Sequence, residues 1–221
     1  MITQIYSIQT VEEAQYCLDA GVDFIGMAAG TNMNLPAEIS LERGKEIFDY
    51  IGDRAGKVAL TVASSPEPIY NIIRELMPDV IHVCGNDYMV TPEFYAGAKK
   101  IHQDIVVLQA IGITDEASVE QALRFSEICD RLILDSVDPS IAGIGAAGIV
   151  NDWGLCRRIV ENASCQVIIA GGLGPHNVAS AIREVRPWGV DSLTKTNKDG
   201  MMAKDPDKIR DFVRIARETV I

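Results

Sequence analysis

The sequence predicts an α/β protein folded as a (β/α)8 TIM barrel, with residues 1–221 forming a single domain. Three observations carry this. Short apolar runs alternate with helix-like stretches eight times along the chain. The runs are rich in β-branched residues and lack strict polar alternation, as strands buried on both faces do in a parallel sheet. One unit takes about 27 residues, a length that suits a βα repeat. An open doubly wound sheet is the rival arrangement. No Pro/Ser-rich linker or composition break divides the chain.

Strands are expected at ITQIYSI (2–8), FIGMA (24–28), KVALTVA (57–63), VIHVC (80–84), IVVLQAIGI (105–113), RLILDS (131–136), QVIIAG (166–171) and GVDSLT (189–194). Helices are expected at 10–21, 40–52, 66–77, 91–102, 114–126, 152–162, 174–185 and 205–220. TVEEAQYCLDAG shows the plan: a Thr cap, early acids, and a Gly that ends the helix. Two long connections stand out, at 29–39 after the second strand and 136–151 after the sixth. Both fall on the C-terminal face, where barrel enzymes build their sites.

Composition narrows the function. Hydrophobic residues make up 48% and charged residues 23%, values of an ordinary globular chain. No apolar run approaches the roughly 20 residues that span a bilayer. MITQIYSIQT has neither the basic start nor the long apolar core of a signal peptide. A cytoplasmic protein with no membrane partner is expected. The net charge of −11 argues against nucleic acid as a partner. It leaves room for a small phosphorylated ligand held by local backbone N–H groups. Cys17, Cys84, Cys129, Cys156 and Cys165 are odd in number and scattered, which reads as reduced, inert thiols. His82, His102 and His176 are not clustered with them, so no metal and no cofactor is expected.

GIGAAGIVNDW (143–153) matches the G-x-G-x-x-G dinucleotide pattern, but its context is wrong. The sixth strand ends well before Gly143, and the next helix starts only near Asp152. A dinucleotide site needs the glycines directly between strand and helix. A glycine loop over the barrel mouth fits better, because glycines let backbone N–H groups approach an anion. AGGLGPHNV (170–178) strengthens that reading. It places Gly171 and Gly172 after the seventh strand, ahead of a helix opened by Pro175 and Asn177. Barrels of this kind often hold phosphate on the loops after strands seven and eight. Thr194 and Lys195, after the eighth strand, add a hydroxyl and an ammonium. The predicted phosphate and substrate contacts are therefore Gly145, Gly148, Gly171, Gly172, Thr194 and Lys195.

From Arg131 to Arg210 the sequence resembles the phosphoribosylanthranilate isomerase family. RLILDS looks like the family's sixth strand, GAAGIVNDW like its GGTGxxFDW loop, AGGLGPHNVASAIREVRPWGVD like AGGLxPxNVxxAI…GVD, and GMMAKDPDKIRDFV like its closing GxKDxxKIxxF. EEAQYCLDAGVDFIGM (12–27) and DVIHVCGND (79–87) match more weakly. The resemblance implies an Amadori rearrangement of a ribosylamine phosphate in tryptophan biosynthesis. That chemistry needs an acid at the ring oxygen and a base at the C2 proton. It assigns the acid to Asp135, whose pKa must then be raised.

Three positions depart from the family. Its first strand reads KICGxT with Cys as base; here QIYSIQ puts Tyr6 in place of the Cys and Gln4 in place of the Lys. A phenol is a poor base unless its pKa is depressed, so Tyr6, His82 and Cys84 all stand as candidates. Alternation turns only one of His82 and Val83 inward. The family's S-P-R, whose Arg binds the anthranilate carboxylate, becomes Leu35, Pro36 and Ala37, with Glu38 beside them. Its S-S-G on the eighth strand becomes Leu193, Thr194 and Lys195. Ala146 and Ala147 also replace the Gly and Thr of the sixth loop. The expected function is a phosphosugar aldose–ketose isomerase with an altered amine end, as a monomer or homodimer. The alternatives are a lyase or aldolase with Lys195 as Schiff base, and a non-catalytic sugar-phosphate-binding protein.

Overall fold

In a computed structural model that describes residues 1–31, 35–85, 88–137, 143–145 and 148–220, eight parallel strands pair in chain order and the last pairs with the first. They are β1 (Ile2–Ile5), β2 (Phe24–Ala28), β3 (Gly56–Thr61), β4 (Val80–Val83), β5 (Val106–Gly112), β6 (Arg131–Asp135), β7 (Gln166–Ile169) and β8 (Gly189–Ser192). The helices between and after them are α1 (Val11–Ala20), α2 (Leu41–Ile51), α3 (Pro66–Leu76), α4 (Pro92–Ile101), α5 (Glu116–Ser126), α6 (Trp153–Asn162), α7 (Val178–Val185) and α8 (Pro206–Glu218). A short 3-10 turn, Thr194–Thr196, follows β8. The register closing the barrel pairs Ile2 with Gly189 and Ile5 with Ser192. The closed barrel replaces the doubly wound alternative.

Local chemistry accounts for the helix ends. The Thr10 hydroxyl accepts the Glu13 N–H at the start of α1, and Gly21, at φ 76°, ends it in the left-handed region. Asp205 caps α8 ahead of Pro206, through the N–H groups of Asp207 and Lys208. α7 begins at Val178, later than the sequence suggests. Asn177 is the reason: its amide bonds the Gly172 carbonyl and the Gly174 N–H, holding residues 172–177 as a loop.

Alternation along the strands divides the apolar residues into two layers. Ile5, Ile25, Met27, Ala59, Ile81, Val83 and Leu134 face the helices. Tyr6, Val58, Val80, Cys84, Leu108, Ile133 and Ile168 fill the barrel interior. At the N-terminal end the Arg131 guanidinium stacks over Phe24 at 4.9 Å and Trp188 at 4.5 Å, closing the floor.

Carboxylates just before three even strands tie that floor to the preceding odd strand. Asp23 accepts the Thr3 N–H, Asp79 the Lys57 N–H and Asp130 the Val107 N–H, each at 2.8 Å. Asp23 also accepts the Thr3 hydroxyl at 2.9 Å, and Thr3 is fully buried. Asp23→Ala leaves both donors unpaired and is expected to cost about 1–3 kcal/mol, read as a lower urea midpoint at unchanged slope.

Four of the five thiols are buried, and Cys165 is half-buried. Among the described residues no helix is long and apolar enough to cross a membrane.

Candidate functional site

The C-terminal ends of the strands bring the predicted residues to one mouth. β6 ends at Asp135, whose carboxylate accepts the Ser136 N–H at 2.7 Å and the Ser136 hydroxyl at 3.3 Å. Burial outweighs those bonds and pushes its pKa up to about 6. Gly145 lies across it: at φ 105°, a Cβ there would stand 2.3 Å from Asp135 Oδ2. Only glycine lets the sixth loop cover the carboxyl this closely.

Tyr6 follows β1, and alternation turns His82, not Val83, into the barrel beside it. Tyr6 Oη and His82 Nδ1 stand 2.6 Å apart. Both side chains are buried, and burial acts on them in opposite directions. It raises the phenol well above its usual range and drops the imidazole to about 3. The condition for a phenolate base is therefore not met, and Tyr6 is a neutral phenol. With that phenol donating to Nδ1, the imidazole keeps its proton on Nε2, which is buried and has no partner among the described residues. Cys84 sits nearby, and burial with the Asp135 charge pushes its thiol up to about 12, which removes it as a thiolate base.

Tyr6 fits because β2 carries a glycine opposite it. A Cβ on Gly26 would lie 2.3 Å from the Tyr6 ring. Gly26→Ala is expected to displace the ring and lower turnover by about 10²-fold, as misplacement of a reacting group by about 1 Å does, with the protein still folded by circular dichroism.

The predicted anion contacts converge on the other side of the mouth. A Cβ on Gly148 would stand 3.1 Å from Thr194 Oγ1 and 3.9 Å from Lys195 Nζ. One on Gly172 would stand 2.7 Å from the Gly148 carbonyl oxygen. Gly148, Gly171 and Gly172 all have positive φ. The loops after β6, β7 and β8 thus touch through glycines. Asn151 binds them further, its amide donating to Leu134 O and Ala170 O at 3.2 Å each. Lys195 is exposed at the rim. Ala146 and Ala147 of the sixth loop, and Asn86 and Asp87 of the fourth, lie outside the described residues.

Asp191 was not singled out from sequence. It is buried on β8, accepts the Gln4 amide at 3.1 Å, and is raised well above the carboxylate range by burial and by Asp135. Its signal was the GVD triplet, read there only as a family match. Lys204 was likewise missed as a support. Its buried ammonium holds Leu193 O at 2.9 Å and Asn197 Oδ1 at 2.7 Å, which fixes the segment carrying Thr194 and Lys195. Among the described residues no group of three or more His, Cys, Asp or Glu side chains is placed to hold a metal.

A parallel eight-stranded barrel with glycine loops after its sixth and seventh strands, and a raised acid at the end of β6, defines a (β/α)8 protein with its candidate site at the C-terminal ends of the strands. The comparisons agree. The sequence pattern of N-(5'phosphoribosyl)anthranilate (PRA) isomerase matches residues 6–215. The N-(5'-phosphoribosyl)anthranilate isomerase of Rhodopseudomonas palustris (strain BisB5) is 31% identical over 218 residues, covering 98% of this chain and 96% of the relative. The phosphoribosyl anthranilate isomerase of Thermotoga maritima superposes with a TM-score of 0.81 at 27% identity, covering 98% of this chain and 99% of that one. Another solved phosphoribosyl anthranilate isomerase, in complex with reduced 1-(o-carboxyphenylamino)-1-deoxyribulose 5-phosphate, superposes with a TM-score of 0.79 at 25% identity over the same shares. The chain belongs to the N-(5'-phosphoribosyl)anthranilate isomerase family.

Proposed function

We propose that this protein is an aldose–ketose isomerase performing an Amadori rearrangement on an N-(5'-phosphoribosyl) amine, the reaction type for which its relatives are named. The observation that carries the reading is one chamber lined at once by Asp135, Tyr6 and His82, next to the glycine loops. The phosphate rests on the backbone at Gly145, Gly148, Gly171 and Gly172, with the Thr194 hydroxyl and Lys195 ammonium beside it.

Asp135 gives its proton to the ring oxygen. The C1–O bond breaks and the amine lone pair forms a C1=N iminium. The C2 proton then passes to Tyr6 Oη while the phenol's own proton passes to His82 Nδ1. The C2–H electron pair forms the C1=C2 bond, and the iminium nitrogen becomes neutral. Tyr6 stays neutral throughout, which its raised pKa requires. Asp135, now a carboxylate, faces Tyr6 and helps to keep it a neutral phenol. Return of the proton through Tyr6 to C1, and of the O2 proton to Asp135, yields the ketose and restores both groups.

The substrate is a small phosphorylated sugar, handled in the cytoplasm by a monomer or homodimer, with no nucleic acid, membrane or cofactor involved. Incubation with N-(5'-phosphoribosyl)anthranilate and with its neutral o-carbamoyl counterpart in D2O tests the reading. A 1-amino-1-deoxyribulose 5-phosphate from at least one of them, seen by NMR, is expected, with deuterium at C1 in proportion to exchange of the relay with solvent. Cleavage to smaller fragments, or binding without any turnover, would replace it with the lyase or sensor reading.

A further inference from the structure

The cations of this barrel are distributed unequally around its mouth. The segments that follow β1 to β7, from strand end to helix start, contain no Lys or Arg. The segment after β8 contains three: Lys195, Lys198 and Lys204. Lys195 stands by the glycine loops, Lys198 is exposed, and Lys204 is consumed by Leu193 O and Asn197 Oδ1. All positive charge at the mouth is thus on one side, where the phosphate is placed.

The chamber over Tyr6 adjoins that side, sharing Asp135, Asp191 and Leu193 with the glycine-lined recess. Its wall is aliphatic: Ala28, Leu35, Leu60, Val62, Ile144 and Met202. Its ionisable groups are the acids Asp135 and Asp191, the Tyr6 phenol and the Cys84 thiol, both raised by burial, and the His82 imidazole, which burial keeps neutral. At its edge, Glu38 accepts the Leu35 N–H at 3.1 Å. A carboxylate entering this space meets acids and hydrocarbon, and among the described residues no Lys or Arg lines it to offset the desolvation; the buried Lys204 ammonium acts on Asp191 but is held by Leu193 O and Asn197 Oδ1. Among the described residues His82 Nε2, on a residue only 4% exposed, is left unpaired there. In the tautomer with the phenol donating to Nδ1 it is an N–H that can donate to one acceptor on the ligand.

We propose that the amine end of this protein's substrate is uncharged: an apolar amine carrying at most a neutral hydrogen-bond acceptor, in place of the carboxyphenylamino group held by its solved relative. This rests on the sugar-phosphate reading above and specifies its substrate class.

Two stable probes test it by titration calorimetry: reduced 1-(o-carboxyphenylamino)-1-deoxyribulose 5-phosphate and its o-carbamoylphenyl counterpart. They share the sugar phosphate and differ in one charge. The carbamoyl compound is expected to bind at least ~10-fold tighter, because only it avoids an unpaired buried charge. Leu35→Arg, which places a cation on the chamber wall, is expected to narrow or reverse that ratio. Equal affinities, or tighter binding of the carboxyl compound, would overturn the proposal. An unshifted ratio in Leu35→Arg would overturn the placement of the amine end in this chamber. If neither compound binds, the sugar-phosphate reading itself fails, an outcome distinct from a failure of charge selectivity.

Discussion

Asp135→Asn is expected to lower kcat by about 10²–10⁴ while leaving the barrel folded and, above pH 6, more stable than the parent. The loss follows from removing the only proton aimed at the ring oxygen in the proposed reaction. The stability gain follows from linkage. The folded-state pKa of Asp135 is about 6, against 3.8 for an unperturbed side chain. Between those values the folded protein binds more protons than the unfolded chain, so this group's contribution falls as pH rises through that window. Above pH 6 the native state carries an ionised carboxyl in a poorly solvated place, and asparagine relieves it by up to about 3 kcal/mol. Near pH 4 the gap closes. Urea unfolding of both proteins at pH 4.5 and pH 8 reads this directly. A variant that is less stable at pH 8 would show that the Ser136 bonds outweigh burial. In the parent, kcat should fall above about pH 6 as the acid ionises, and an NMR titration of the Asp135 carboxyl should share the same midpoint.

The second large effect concerns the pair that replaces the family's cysteine. Tyr6→Phe and His82→Gln are each expected to lower kcat by about 10²-fold or more with little change in KM, since neither group is placed to hold the phosphate. Because one proton passes through both, the double variant should be no worse than the poorer single variant. Losses that multiply would mean two independent roles, and the relay would be abandoned. His82 also has a pH signature opposite in sign to that of Asp135. Its folded pKa is about 3, against 6.5 unperturbed, so its stabilising contribution is full above pH 6.5 and is lost as pH falls toward 3. His82→Gln should flatten the acid limb of the stability profile, measured by thermal unfolding from pH 4 to pH 7.

The charge asymmetry of the mouth connects these effects to specificity. A phosphate on the β8 side meets Lys195, while the amine end meets hydrocarbon and two acids. Burial raises Asp135, and burial together with the Asp135 charge raises Asp191 against the opposing pull of Gln4 and the Lys204 ammonium. An arginine on the chamber wall would draw their pKa values down and leave less of the acid protonated at neutral pH.

The barrel was legible in the sequence because its signals are local and periodic. Eight apolar runs, capped helices and the glycines at 143–148 and 170–174 each report backbone geometry that a few neighbouring residues impose. Asp135 at a strand end and the anion contacts after strands seven and eight follow from position within that repeat. Other features depend on residues far apart in the chain. Tyr6 and His82 meet across 76 residues, and Gln4 reaches Asp191 across 187. The inward turn of His82, the protonation of Tyr6 and the raised pKa of Asp191 all depend on strand register and on burial inside the closed barrel. Charge placement around the mouth lies between the two: the sequence alone shows that seven connecting segments lack Lys and Arg, and only the barrel brings those segments together around one chamber. Sequence determined the repeat, the glycines and the acid, because short-range sterics and hydrophobic spacing encode them. Tertiary structure decided the pairing of Tyr6 with His82, the raised pKa values of Asp135 and Asp191 and the lining of the chamber, because desolvation and long-range hydrogen bonds exist only once the barrel closes.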